Sequence, residues 1–169
     1  MPGFGISVLG AALALLFATP VVEAAHRSHC TGGEVAVFTC PIGDKTVSLC
    51  ASADRSFSSG TLQYRFGRIG KVEMNYPEKA AASRKAFRGG LALYGSGGSS
   101  YVRFVRAGVA YTLYRYSGIG HQEDGLVVSR GDRKLTAAKC PNFAVVDDEW
   151  WLQIDKGALP PDPDEPVVP

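Results

Sequence analysis

The chain has 169 residues, with 18 Lys and Arg against 16 Asp and Glu, four cysteines and three histidines. Its one long apolar run, residues 6–17, is too short to span a bilayer as a helix. The cysteines follow Cys30-x9-Cys40-x9-Cys50 with Cys140 far downstream, which lacks the close pairs of a zinc site.

Residues 6–17 (ISVLGAALALLF) precede Thr19, Pro20 and Val22-Glu23-Ala24. An apolar stretch followed by small residues at −3 and −1 reads as a secretory signal peptide spanning 1–24, cleaved after Ala24. Arg27-Ser28-His29 before Cys30 is not a lipoprotein box, so the expected product is periplasmic or secreted and carries no lipid. An even cysteine count in an oxidising compartment implies two disulfides.

Val35, Val37 and Thr39 alternate with Ala36, Phe38 and Cys40, and Val47 and Leu49 with Ser48 and Cys50. Pro41, Gly43 and Asp44 stand between the two runs, so they read as a β-hairpin. A second hairpin follows: Leu62, Tyr64 and Phe66 share one face, residues 67–70 turn, and Val72, Met74 and Tyr76 point inward. Residues 78–88 have helix formers but no full apolar stripe, enough for a turn or two of helix. Residues 91–94 form a short strand, and the glycines and serines of 95–100 read as a flexible loop. A third hairpin, 101–106 with 109–116, turns at Ala107-Gly108. Its second strand puts Val109, Tyr111 and Leu113 on one face and Ala110, Thr112, Tyr114 and Tyr116 on the other. Residues 117–125, with His121, Glu123 and Asp124, read as a polar loop, and Gly131-Asp132 centres a fourth hairpin.

Asp147, Asp148 and Glu149 before Trp150, Trp151, Leu152 and Ile154 suit the start of a short closing helix. Residues 159–169 (LPPDPDEPVVP) hold five prolines and three acids and read as a disordered or extended tail. The expected fold is therefore all-β: a single domain, 25–158, built as an antiparallel meander closed into a small barrel or folded as a sandwich. It has a short C-terminal helix and two disulfides. With residues 42 and 45 flanking the first turn, Cys40 faces Val47 and Cys50 faces Val37. Cys30 enters from the end where Cys50 lies, which favours Cys30–Cys50 and Cys40–Cys140 among three possible pairings.

Without Glu23 and the three acids of the tail, 18 basic residues face 12 acidic ones, a net of +6. Ten of the basic residues lie between Arg65 and Arg115, opposed there only by Glu73 and Glu78. A solvated surface explains that run; an anionic partner is the sharper reading. Nucleic acid is not an expected partner for an exported, disulfide-bonded chain.

No GxSxG elbow accompanies His121, Glu123, Asp124 and Ser117, so a hydrolase is not indicated. The acids at 147–149 lack the spaced ligands of a calcium loop, and the glycines at 95–98 open no phosphate-binding helix. No catalytic, metal or cofactor set is assigned. One alternative is a copper-binding or oxidative protein: cleavage after Ala25 would leave His26 as an amino-terminal ligand, with His121 completing the site. Arg and Tyr crowd the third hairpin, as they do at many binding surfaces. Ser96, Tyr101, Arg103, Arg106, Tyr114 and Arg115 are therefore the expected partner-binding residues.

The runs VFTCPIGDKTVSLCAS, GTLQYRFGRIGKVEMNYP and EDGLVVSRGDRKLTAAKC resemble a group of small exported bacterial β-proteins without an assigned function. A fainter similarity is to the membrane-bound or periplasmic inhibitors of c-type lysozyme. Those small barrels carry a cysteine near a Gly-Lys turn and a Ser-Gly-x-x-Tyr stretch that enters the lysozyme cleft. The counterparts here are Gly43-Asp44-Lys45, with Asp44 interposed, and Ser96-Gly97 leading to Tyr101, with two extra residues between. The first resemblance implies a secreted or periplasmic β-protein. The expected function is a non-catalytic binding protein whose partner is a protein or an anionic cell-envelope polymer, and the second resemblance adds inhibition of a cell-wall hydrolase as its finer form.

Overall fold

The computed structural model describes residues 28–79 and 83–164, with Met1, Pro166 and Val168. The expected signal peptide and His26 lie outside the described residues, apart from Met1. The first hairpin is β1 (Glu34–Ile42) and β2 (Lys45–Ser52), and Ile42 faces Lys45 across Gly43-Asp44. Gly43 takes φ +61°, a conformation cheap only without a Cβ. Cys40 faces Val47 as expected. A bulge between Ala36 and Phe38 moves the partner of Cys50 from Val37 to Ala36. β3 (Leu62–Arg68) and β4 (Lys71–Tyr76) continue the sheet, and the two-residue β10 (Val145–Val146) pairs with β1. The first sheet has the order β10-β1-β2-β3-β4. Met74 and Tyr76 are half-buried, whereas Val72 is exposed.

The second sheet is a pure meander: β5 (Arg88–Tyr94), β6 (Gly97–Arg106), β7 (Val109–Gly118), β8 (His121–Arg130) and β9 (Arg133–Lys139). Ala107 and Gly108 both have positive φ, the mirror-type turn that matches strand twist. Two expected loops are corrected here. Residues 97–100 belong to β6, leaving only Gly95-Ser96 as the turn, and residues 121–125 belong to β8, leaving Ile119-Gly120. In both places polar or small residues alternate in register with β7, and sheet pairing overrides their turn propensity. Among the described residues the helical stretch is a single turn, α1 (Ser83–Ala86).

The two sheets face each other as a sandwich, not a closed barrel. Val37, Phe38, Val47, Leu49, Leu62 and Tyr64 of the first pack with Val102, Phe104, Leu113 and Leu126 of the second in one core. Stacked and tilted rings of Tyr64, Tyr76, Phe104 and Tyr111 bridge the layers. The closing helix is α2 (Asp148–Asp155), and Asp147 caps it by accepting from the Trp150 backbone N–H. Trp151, 1% exposed, donates its indole N–H to the Val37 carbonyl at 2.7 Å, satisfying a group at the bulge.

Both expected disulfides are present. Cys30–Cys50 clips the entering chain to β2, and Cys40–Cys140 joins β1 to the exit of β9, each with Cα atoms 5.4 Å apart. The expected unpacked tail differs from what the structure places at its start. Leu159 is 2% exposed within the core, and the Pro160 carbonyl accepts from Gly89 N–H on the edge of β5.

Candidate functional site

Strand parity assigns the second sheet two faces. Val102, Phe104, Tyr111, Leu113 and Leu126 face the core. Tyr101, Tyr114 and Val127 lie on the outer face and form a second small cluster. At one end of that face the β5–β6 and β7–β8 turns lie side by side, joined by Ile119 N–H to the Ser96 carbonyl at 3.0 Å. Between them opens a cavity of about 490 Å³ lined by Tyr94, Ser96, Tyr116, His121, Glu123 and Lys139.

Glu123 organises the cavity. It accepts from the Tyr114 hydroxyl at 2.7 Å, from His121 Nε2 at 2.8 Å and from the Lys139 ammonium. Burial by itself would raise its pKa, but these three donors and the Lys139 charge outweigh burial and hold it at about 2. Tyr114 moves the other way: burial, then its bond to the Glu123 carboxylate, pushes its hydroxyl well above the usual range. The site thus holds a fixed carboxylate among three donors beside Tyr116, whose hydroxyl is 3.4 Å from Ser96 Oγ. Leu93, Tyr94 and Ile119 are exposed around this tip.

Asp124, the next residue, points to the opposite face. There burial raises its pKa, partly offset by the Ala144 N–H and by Arg115. It accepts from Ala144 N–H at 2.9 Å and lines a smaller hollow, about 350 Å³, with Arg115 and Phe143.

The six residues expected to bind a partner do not share one surface. Ser96 is exposed at the tip, whereas Tyr101 and Tyr114 are buried on the outer face. Arg103 lies on that face with 12% of its side chain exposed, paired with Asp162 at 2.7 Å. Arg115 faces the other way, toward Asp124 and Asp148. Arg106 sits at the far end of β6, 3.8 Å from Glu78. Tyr94 and Lys139 were not singled out from sequence, and His121 and Glu123 were grouped there only with Asp124 and Ser117 as a polar loop. The signal was present: His121, Glu123, Gly125 and Val127 alternate in phase with Tyr114 and Tyr116 across the strand pair.

His29 is 9% exposed and its Nε2 sits 3.1 Å from the carbonyls of both Thr46 and Gly67, a structural clamp on the strand ends. Comparison with protein-family models, curated proteins and solved structures finds no match. The resemblances drawn above rest on the quoted motifs alone.

Proposed function

We propose that the chain is an exported, non-catalytic binding protein that engages a protein partner through the Ser96–Ile119 tip of its second sheet. The observation that carries this reading is the exposed apolar trio Leu93, Tyr94 and Ile119 gathered at the tip, where Tyr94 also lines the cavity with Ser96, His121, Glu123 and Lys139. Apolar side chains gathered beside fixed charges match the composition of protein interfaces. A non-catalytic role is favoured by Glu123. A general acid or base works best with a pKa near the operating pH, and this carboxylate sits at about 2 with three donors occupying it.

A protein partner is preferred over an anionic polymer because the arginines that would draw a polymer are engaged. Arg65 pairs with Glu34, Arg68 with Asp44, Arg103 with Asp162 and Arg115 with Asp124. In the finer form of the proposal the Ser96 turn enters the cleft of a cell-wall hydrolase such as a c-type lysozyme.

The test is capture from cell-envelope extract by the immobilised mature chain, beside its Ser96→Asp and Ile119→Asp variants. One species retained by the wild type and lost by both variants is expected. Retention should change little as salt rises past about 0.15 M, where the screening length is about 8 Å. Identical capture by all three chains would remove the tip as the site. Undiminished c-type lysozyme turnover in the presence of the mature chain would remove the inhibitor form alone.

A further inference from the structure

The outer face of the second sheet is covered by the chain's own C-terminal segment. Leu159 anchors in the core against Gly89 and Ile154, and Pro160 caps the β5 edge. The segment then reaches the Arg103 guanidinium, where one Nη–H group meets both Asp162 oxygens at 2.7 and 2.8 Å. The Asp162 side chain is fully buried, and Asp164 lies 3.4 Å from the other nitrogen. Farther on, Val168 packs against Tyr101, Tyr114 and Val127. Leu159 to Asp164 therefore run from β5 to Arg103 on β6, and Val168 lies against side chains of β6, β7 and β8.

The fit has a polar defect. Ser99 and Thr112 on the same face are 0% and 1% exposed, and neither hydroxyl has a hydrogen-bond partner. Buried unpartnered hydroxyls cost free energy, and the prolines of the segment carry no N–H to give them. Lys85 and Arg88 add positive charge beside the Arg103–Asp162 pair. Aromatic side chains, an arginine anchor and flanking cations are what an extended proline-containing acidic segment needs for docking.

We infer that this face is a docking groove for an extended, acidic, proline-containing segment of another protein, and that the chain's own C-terminal segment occupies it in cis through Asp162, Asp164 and Val168. The groove adjoins the Ser96 tip but does not depend on it. An occupant tethered beside its site acts at an effective concentration in the millimolar range, so the segment shields the groove until a stronger ligand displaces it.

The experiment uses the full chain carrying Asp162→Lys and Asp164→Lys, which sets like charge against Arg103, Arg88 and Lys85. The probe is a labelled synthetic peptide of residues 159–169. Saturable binding to this variant is expected, with the wild type about tenfold or more weaker because its groove is filled. Adding Arg103→Glu to the variant should abolish binding, whereas adding Ile119→Asp should leave it intact, separating the groove from the tip. A folded variant that ignores the peptide overturns the inference, as does equal binding by wild type and variant. A chain lacking residues 162–169 is the second probe of the same groove, expected to fold and bind. If neither it nor the charge variant folds, the segment is an integral layer of the domain and the inference fails.

Discussion

Glu123 ties the stability of the outer face to pH. Its folded pKa of about 2 lies below the ordinary 4.5, so folding favours the ionised form. That stabilisation is complete above about pH 4.5 and disappears as pH falls toward 2. Lys139 and His121 are 66% and 57% exposed, and screening at those ends limits the contribution to about 1–2 kcal/mol. Glu123→Gln should cost about that much near pH 7 and flatten the acid limb of a urea-unfolding series. Asp124 has the opposite sign: its folded pKa is raised, so protonation favours the fold as pH falls. Asp124→Asn should therefore steepen the same acid limb, and an unchanged limb in either variant would contradict this account. These roles were hard to read in the sequence because the partners are distant. Arg65 finds Glu34 and Arg103 finds Asp162, 31 and 59 positions away, so five of the ten cations in that run are paired with acids in space.

Hairpins with clean alternation and a Gly turn, such as 62–76 and 101–116, were legible as elements because the core demands one apolar face. The strands at 97–100 and 121–125 were not. Their small and polar residues sit at the open end of the sheet, and composition there resembles a loop; farther along β8 the sheet is covered on both faces. The unbroken run Leu126-Val127-Val128 is the sequence trace of that double burial. The closing helix was legible from its acids and tryptophans, and its weight in the fold is testable. Trp151→Phe keeps an aromatic ring but leaves the Val37 carbonyl only the longer 3.4 Å bond from Asp147 N–H, for a loss of about 0.5–1.5 kcal/mol. Trp151→Ala adds a cavity and should lose about 3–5 kcal/mol in denaturant titration. Gly89→Ala probes the seam between β5, α2 and the C-terminal segment. Its new Cβ would lie 2.9 Å from both the Tyr101 carbonyl and Leu159 Cδ1. The backbone oxygen yields least, so a loss of about 1–3 kcal/mol is expected.

At the scale of the molecule, two sheets with separate meanders must be held face to face, and only a few links cross between them. The core is one link, Trp151 on Val37 is a second, and Cys40–Cys140 is the covalent one. The pairing was legible because a hairpin fixes which strand end each cysteine occupies. The sandwich was not separable from a barrel, since alternation is the same in both. The two disulfides close chains of very different length, with separations of 100 and 20 residues. In the chain-entropy picture the longer loop is worth about 4.7 kcal/mol and the shorter about 3.3 kcal/mol. Replacing Cys40 and Cys140 by Ser should therefore destabilise the chain more than replacing Cys30 and Cys50, by about 1 kcal/mol or more. The gap should widen beyond that value because the first pair of substitutions also unlinks the sheets, while the second frees only the entering segment. That segment keeps His29 on the Thr46 and Gly67 carbonyls and Glu34 on Arg65. Equal shifts in melting temperature for the two double variants would mean that noncovalent packing alone sets the sandwich.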